Sequence, residues 1–104
     1  MNIYKIGPDV PRDLPKDDDQ FEWLVYHYKI DGYDGYGQAV ALCKEDGLLY
    51  FKDLYHCSCF DGFDGGMKSG DKYTVASFLK DKDDALSFDA LKVVKEKVAE
   101  LTGW

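Results

Sequence analysis

The chain has 104 residues, 45% of them hydrophobic and 32% charged, with a formal net charge of −7. This length predicts one domain with one modest core, and the hydrophobic content argues against disorder. The negative charge is spread along the chain and argues against direct nucleic-acid binding, because phosphate groups require Lys and Arg.

No apolar run approaches the roughly 18 residues of a membrane-spanning helix. A signal peptide begins with basic residues followed by an apolar stretch, and the first residues lack this pattern, so none is expected. The three cysteines are an odd number and cannot all pair with one another. We therefore expect free thiols, a reducing cytoplasmic location and no membrane contact.

Residues 1–20 contain all three prolines, Pro8, Pro11 and Pro15. Proline fixes φ and lacks a backbone donor, so neither a helix nor a central strand is expected there. We predict an extended N-terminal arm over residues 1–20, partly packed against a single α+β domain over residues 21–104.

The segment from Phe21 to Lys29 alternates as a strand does. One predicted face carries Phe21, Trp23, Val25 and His27, and the other carries Glu22, Leu24, Tyr26 and Tyr28. A glycine-rich break over residues 31–37 follows, and then a second strand over residues 38–44. The Asp46-Gly47 pair predicts a two-residue hairpin turn, and a third strand is expected from Leu48 to about Cys59.

Two helices are predicted at the C-terminal end. Thr74 is a candidate cap for a short helix over residues 75–80, and Ser87 is a candidate N-cap for the second helix. Helical spacing in the second helix defines an apolar stripe of Leu91, Val94, Val98 and Leu101, and Gly103 suits its end. The predicted fold is α+β, a three-stranded antiparallel meander packed against one or two C-terminal helices.

A dense group of metal-ligand residue types lies in the last residues of the predicted third strand. If a metal were bound, its ligands would be His56, Cys57, Cys59 and Cys43. The predicted turn pairs Cys43 with Tyr50 and Gly37 with His56. That register places Cys43 on one sheet face and Cys57 and Cys59 on the other, so we expect no metal and no cofactor.

A cysteine nucleophile would need a neighbouring base and an oxyanion hole. His56 precedes Cys57 directly, but adjacent strand residues point to opposite faces. We therefore predict that the protein is not an enzyme. A small thiol-dependent enzyme and a zinc-stabilised binding module that uses the His-Cys-Ser-Cys segment are the alternatives.

Two loops repeat the pattern Asp-Gly-aromatic-Asp-Gly, at residues 31–35 and 61–65. Asp-Gly pairs form turns, and exposed aromatics on such loops are typical contact residues. Both loops are expected at the same end of the sheet, where they would form one acidic, aromatic surface for a basic protein partner. The candidate binding residues are Tyr33, Asp34, Tyr36, Phe60, Phe63 and Asp64.

About half of the chain resembles a family of small uncharacterised proteins of phages and prophages that carry a His-Cys-Ser-Cys motif. The matching segments are Trp23–Tyr26, Gly32–Gly37, Ala39–Leu42, His56–Cys59, Tyr73–Val75 and Phe78–Leu79. The resemblance implies a phage-like origin and a bacterial host cytoplasm, and it assigns no activity to any residue. The resulting hypothesis is a small, acidic, phage-type protein that binds a protein partner, for instance as an inhibitor of a host or defence factor.

Overall fold

The computed structural model describes residues 2–11, 15–56, 66–84 and 89–103, with the backbone alone given for His56 and residues 81–84. These residues form a five-stranded sheet in the order β1-β2-β3-β4-β5. The strands are β1 (Asn2–Lys5), β2 (Phe21–Asp31), β3 (Asp34–Cys43), β4 (Leu49–His56) and β5 (Asp71–Tyr73). The helices are α1 (Val75–Asp84) and α2 (Asp89–Thr102), with short 3-10 helices at Asp18–Gln20 and Met67–Ser69. The α+β class is confirmed, and the predicted meander β2-β3-β4 gains a strand on each side.

The N-terminal arm supplies one of the added strands. β1 runs parallel to β2, with Asn2 opposite Trp23 and Lys5 opposite Tyr26. The arm then stays beside β2, because the Asp9 N–H donates to the Tyr28 carbonyl at 3.0 Å. A parallel pair is not joined by a tight hairpin turn, so no turn residues mark β1 in the sequence. The sequence therefore predicts only an extended segment there.

The turn between β3 and β4 is longer than predicted. The Cys43 N–H donates to the Leu48 carbonyl at 3.0 Å, and the four residues between them form the turn. Gly47 has a φ of +69°, and the Asp46 carboxylate accepts the Leu48 N–H at 2.9 Å. Four-residue hairpin loops with a glycine of positive φ are a common alternative to the two-residue turn.

The longer turn makes the predicted register wrong by two residues. Gly37 lies opposite Leu54, and His56 lies opposite Gly35. An even shift keeps every side chain on its face. Cys43 therefore shares a face with Tyr50 and Leu54, as predicted.

A bulge at the start of β2 corrects a second prediction. The pairing with β3 shifts between Phe21 and Trp23, so one residue is left over. Phe21 consequently lies on the face opposite Trp23 and packs edge-on against Tyr50, with ring centroids 5.6 Å apart. The strict alternation predicted for Phe21 fails because a bulge reverses the face of the residues before it.

Both helices cover the same sheet face. The helix-side core includes Phe78 of α1 and Leu91, Val94 and Val98 of α2, with Leu101 packed at its margin. Thr74 caps α1 by accepting the Ser77 N–H at 3.1 Å, and Gly103 ends α2 with a φ of +80°. The predicted apolar stripe is thus confirmed. Ser87 lies outside the described residues.

One aspartate joins distant parts of the chain on the other side of the sheet. The Asp17 carboxylate accepts the Met67 N–H through Oδ1 and the Lys68 N–H through Oδ2, each at 2.9 Å. Gly66 precedes them with a φ of +77°, and a Cβ there would lie 2.8 Å from Asp17 Oδ1. Two charge-assisted hydrogen bonds therefore hold the segment that buries Met67 against the chain just before β2.

We predict that Asp17→Asn destabilises the fold by roughly 1–3 kcal/mol, because an amide nitrogen cannot accept one of the two backbone N–H groups. Asp19→Asn, at an exposed position in the same acidic run, is the matched control and should change stability by less than about 0.5 kcal/mol. Urea unfolding of both variants checks this. Equal midpoints for the two variants would contradict the bridging role of Asp17.

A second prediction concerns alkaline pH. Burial, together with the hydrogen bond that its hydroxyl donates to Asp46 at 2.9 Å, raises the pKa of Tyr50 to about 12. An unfolded tyrosine has a pKa of about 10, so stability should decline between pH 10 and 12 as the unfolded chain loses this proton first. Tyr50→Phe should lessen the decline in melting temperature over that range. A decline as steep as in the unmodified protein would rule out this linkage.

Candidate interaction surface at the open end of the sheet

The central strands are longer than the helices above them. β2 has 11 residues and spans roughly 36 Å, whereas the 14 residues of α2 span roughly 21 Å. Part of the sheet therefore extends beyond the helical layer.

Cross-strand rows locate the uncovered part. On the helix side, the rows Trp23–Leu42–Leu49 and Val25–Val40–Phe51 lie in the core. Alternation then brings two further rows to the same face: His27–Gln38–Asp53 and Lys29–Tyr36–Tyr55. We call these two rows, together with the turn Asp31–Asp34, the open end of the sheet.

A tight turn forms the tip of the open end. Asp31 and Asp34 pair across the hairpin, leaving Gly32 and Tyr33 as the two turn residues. Gly32 has a φ of +65° and Tyr33 does not have positive φ, which is the pattern of a type II′ turn. Tyr33 is consequently held out into solvent, with 93% of its surface exposed.

Exposed aromatic side chains concentrate at this end. Among the described residues, the aromatic side chains that are largely exposed are Tyr33, Tyr36 (45%) and Tyr55 (49%). Tyr36 and Tyr55 are direct cross-strand partners, and Tyr33 is three residues from Tyr36. Exposed aromatics grouped in this way are typical of contact surfaces.

A small cavity lies where the open end meets the start of α2. Its volume is about 100 Å³, and its described lining comprises His27, Tyr36, Gly37, Gln38 and Ala90. The Gln38 Oε1 atom is buried without a hydrogen-bond partner within the described part of the chain. Because this oxygen has almost no accessible surface, a group in the cavity does not reach it without a movement of the side chain.

The charges around the open end are mostly negative. Asp31 and Asp34 flank the turn, Asp53 lies opposite Gln38, and Asp89 begins α2 next to Ala90. Lys29 is the single lysine in the two rows. The surface therefore favours a cationic partner.

On the sheet face opposite the helices, a buried aromatic side chain packs behind the hairpin. The Tyr28 ring is buried there, and a Cβ at Gly35 would overlap its hydroxyl. Along the outer edge of β2, the Ile30 N–H donates to the Asp9 carboxylate at 2.8 Å. The open end is thus supported from behind and along β2.

The structure places the predicted binding residues unevenly. Tyr33 lies in the turn as expected, but Asp34 and Tyr36 belong to β3, so the glycine-rich break predicted over residues 31–37 is wrong in extent. Phe60, Phe63 and Asp64 lie outside the described residues. The described part of β4 reaches His56 opposite Gly35, near the end of the sheet that carries Tyr33.

Of the six residues in the two rows, the sequence analysis named only Tyr36 as a contact residue. The five that it did not name as contact residues are His27, Lys29, Gln38, Asp53 and Tyr55. The available signal was strand parity, because all five share the helix-side face with Val25, Val40 and Phe51. How far each of these side chains is exposed depends on where the helices stop, and local sequence patterns do not give that position.

The two candidate metal ligands that the structure describes, Cys43 and His56, lie far apart. Cys43 is buried and close to Leu48, whereas His56 lies eight residues further along the chain, roughly 26 Å away at about 3.3 Å per residue. The two cannot bind one ion. Cys57 and Cys59 lie outside the described residues, and within those residues no group of three His, Cys, Asp or Glu side chains is arranged to hold a metal.

No helix within the described ranges has the length and apolar character needed to cross a membrane. Comparison of the chain with protein-family models, with curated proteins and with solved structures finds no match.

The two aspartates that close the hairpin generate a testable prediction. Like charges directly opposite each other in a sheet are destabilising, so Asp31→Asn should stabilise the fold by roughly 0.2–1 kcal/mol at low salt. Because salt screens exposed charges, the gain should shrink in 1 M salt. Urea unfolding at both salt concentrations measures it. A loss of stability would mean that the Asp31 carboxylate supports the turn.

Proposed function

We propose that the protein acts without catalysis, by binding a basic protein partner through the open end of the sheet. The observation that carries this proposal is the concentration of exposed Tyr33, Tyr36 and Tyr55 beyond the helical layer. Tyrosines supply a large contact area at a low cost in side-chain entropy, and they often dominate binding energy.

The surrounding carboxylates support a basic partner. Asp31, Asp34 and Asp53 border the tyrosines, and the whole chain carries a net charge of −7. Charges at the rim of an interface chiefly accelerate encounter and exclude partners of the wrong sign. Association should therefore slow markedly as salt is added.

A macromolecular partner suits this surface better than a small-molecule substrate. The cavity of about 100 Å³ is well below the roughly 300–1,000 Å³ of pockets that enclose a drug-sized ligand. The tyrosines lie instead on an open sheet face and at a turn. A nucleic acid would meet an acidic surface with one lysine in its two rows.

The resemblance to small phage and prophage proteins narrows the proposed partner to a basic protein of the bacterial host. A host factor or a defence protein that handles nucleic acid has the required charge. In that role the protein would act as an inhibitor that covers a basic surface of its target.

The test uses a variant that removes the exposed rings while keeping the strand. In Tyr33→Ser/Tyr36→Thr, the turn retains Gly32, and threonine retains a high strand propensity at position 36. The variant should fold normally and lose at least tenfold in its capture of the partner from host lysate at fixed salt. Val93→Thr is the control, because it alters an exposed apolar residue on α2 at nearly constant shape.

Circular dichroism and urea unfolding verify that both variants are folded. Capture of the same partner by the double variant and by the control, at equal yield, would place the contact surface elsewhere.

A further inference from the structure

We propose that the outer edge of β1 pairs with the same edge of a second copy of this chain, so that two five-stranded sheets join into one. This inference is independent of the proposed function and concerns a different surface. It depends on the direction of the backbone groups of β1, on the low charge along this edge and on the exposure of Ile3.

The backbone of β1 presents a row of hydrogen-bonding groups away from the sheet. β1 lies at the edge and, among the described strands, pairs with β2 alone. The Ile6 N–H donates to the Tyr26 carbonyl at 3.0 Å, so the backbone groups of Ile6 and, two residues earlier, Tyr4 point towards β2. Alternate residues of a strand point the other way. The N–H and C=O groups of Ile3 and Lys5 therefore face outwards, ready to pair with another strand.

β1 is also the less protected of the two sheet edges. Natural edges are commonly shielded by proline, by bulges or by charges. Asn2–Lys5 contains no proline, its pairing with β2 is regular, and its single charged residue is Lys5. Ile3 is 37% exposed on the sheet face opposite the helices. At the other edge, β5 has only three residues and begins with Asp71, so β1 is better suited to pairing.

Charge favours this edge for contact between two copies. The chain has 20 Asp and Glu residues and a net charge of −7, yet residues 2–8 contain no carboxylate. Lys97 of α2 approaches Tyr4, with Nζ 4.9 Å from the ring centroid. Lys97 also pairs with Glu100 at 3.3 Å, so this ion pair adds no net charge. Like-charge repulsion between two copies is therefore small at the β1 edge.

A two-fold axis at Tyr4 uses every outward group of β1. Antiparallel pairing then places Ile3 opposite Lys5 of the second copy, where the two residues exchange both hydrogen bonds, and symmetry repeats the pair. Tyr4 faces its own counterpart, and the apolar stem of Lys5 covers the exposed Ile3 of the other copy. An interface of this kind closes on itself, so assembly stops at two copies.

The helical layer leaves room for this pairing. α2 packs mainly on β2 and β3, so the helices do not cover the outer side of β1. A two-fold axis perpendicular to the sheet keeps both helical layers on one face. Because β1 is parallel to β2, the two open ends would lie at opposite ends of the joined sheet. The dimer would therefore offer two separate contact surfaces to a partner.

Sedimentation equilibrium of the purified protein tests whether the dimer forms. Two strands of four residues make an interface below the roughly 1,200 Å² of standard stable complexes, so association should be weak. From micromolar to millimolar concentration, monomers and dimers should be in reversible equilibrium. A monomer over the whole range, or open chains of increasing size, would overturn the proposal.

The variant Ile3→Pro tests the outward row directly. Proline removes an N–H that faces away from β2, which an edge strand tolerates, so the fold should persist. Dimerisation should weaken by roughly tenfold or more, because two hydrogen bonds are lost across the two-fold axis. Ile3→Val keeps the N–H and most of the apolar surface, so this matched control should dimerise normally. Circular dichroism verifies folding, and normal dimerisation of a folded Ile3→Pro variant would contradict the proposal.

Disulfide formation tests the two-fold axis without a proline variant. Opposite residues in a non-hydrogen-bonded antiparallel pair have Cα atoms about 4.5 Å apart, a distance that a disulfide spans. Under mild oxidation, Tyr4→Cys should therefore give a covalent dimer linked through position 4, as identified by peptide mapping. Asn2→Cys is the control, since its two copies would lie roughly 13 Å apart. A link through position 2 in place of position 4 would overturn the pairing.

The open-end variant separates this inference from the proposed function. Tyr33→Ser/Tyr36→Thr should dimerise normally, whether or not it captures the host partner. Loss of dimerisation in this variant would place the contact between copies at the open end and overturn the β1 pairing. If Ile3→Pro loses capture while the unmodified protein is a monomer at every concentration, β1 receives a strand of the host partner instead of a second copy, which also overturns the proposal.

Discussion

The strands β2, β3 and β4 extend past the two helices that pack on them, and this mismatch in length organises the molecule. A helix advances about 1.5 Å per residue and a strand about 3.3 Å, so helices of 10 and 14 residues cannot cover strands of eight to 11 residues. The apolar rows lie where the helices are, and tyrosine, aspartate and lysine occupy the rows beyond. The change from apolar to polar residues along each strand thus coincides with the edge of the helical layer.

The open end of the sheet is nevertheless held in place by contacts on its rear face and along the edge of β2. The buried Tyr28 ring lies behind it, and the N-terminal arm bonds to the edge of β2 as far as Ile30. On the same rear face, Asp17 holds the segment that contains the buried Met67. A preorganised surface loses less conformational entropy when it binds, so more of its contact energy appears as affinity.

The sequence predicted those features that depend on local periodicity. The stripe of Val94 and Val98, the Thr74 cap and the face of Cys43 are confirmed, the last because the register error is even. Features that depend on distant pairing were not predictable: β1 needs β2 as its partner, and Asp17 bonds residues 50 positions away. The sequence predicts that Gly35 interrupts the strand, yet it belongs to β3. Glycine is needed there because the Tyr28 ring occupies the space that a side chain would take.

Site-specific photocrosslinking tests most directly the claim that the open end is the contact surface. A photoreactive phenylalanine analogue at position 33 lies at the tip of the open end, and the same analogue at position 93 lies on the exposed side of α2. Position 33 should crosslink to one basic host protein and position 93 should not, with both proteins equally folded. Crosslinking of that protein from position 93 alone, or of an acidic partner from position 33, would contradict it.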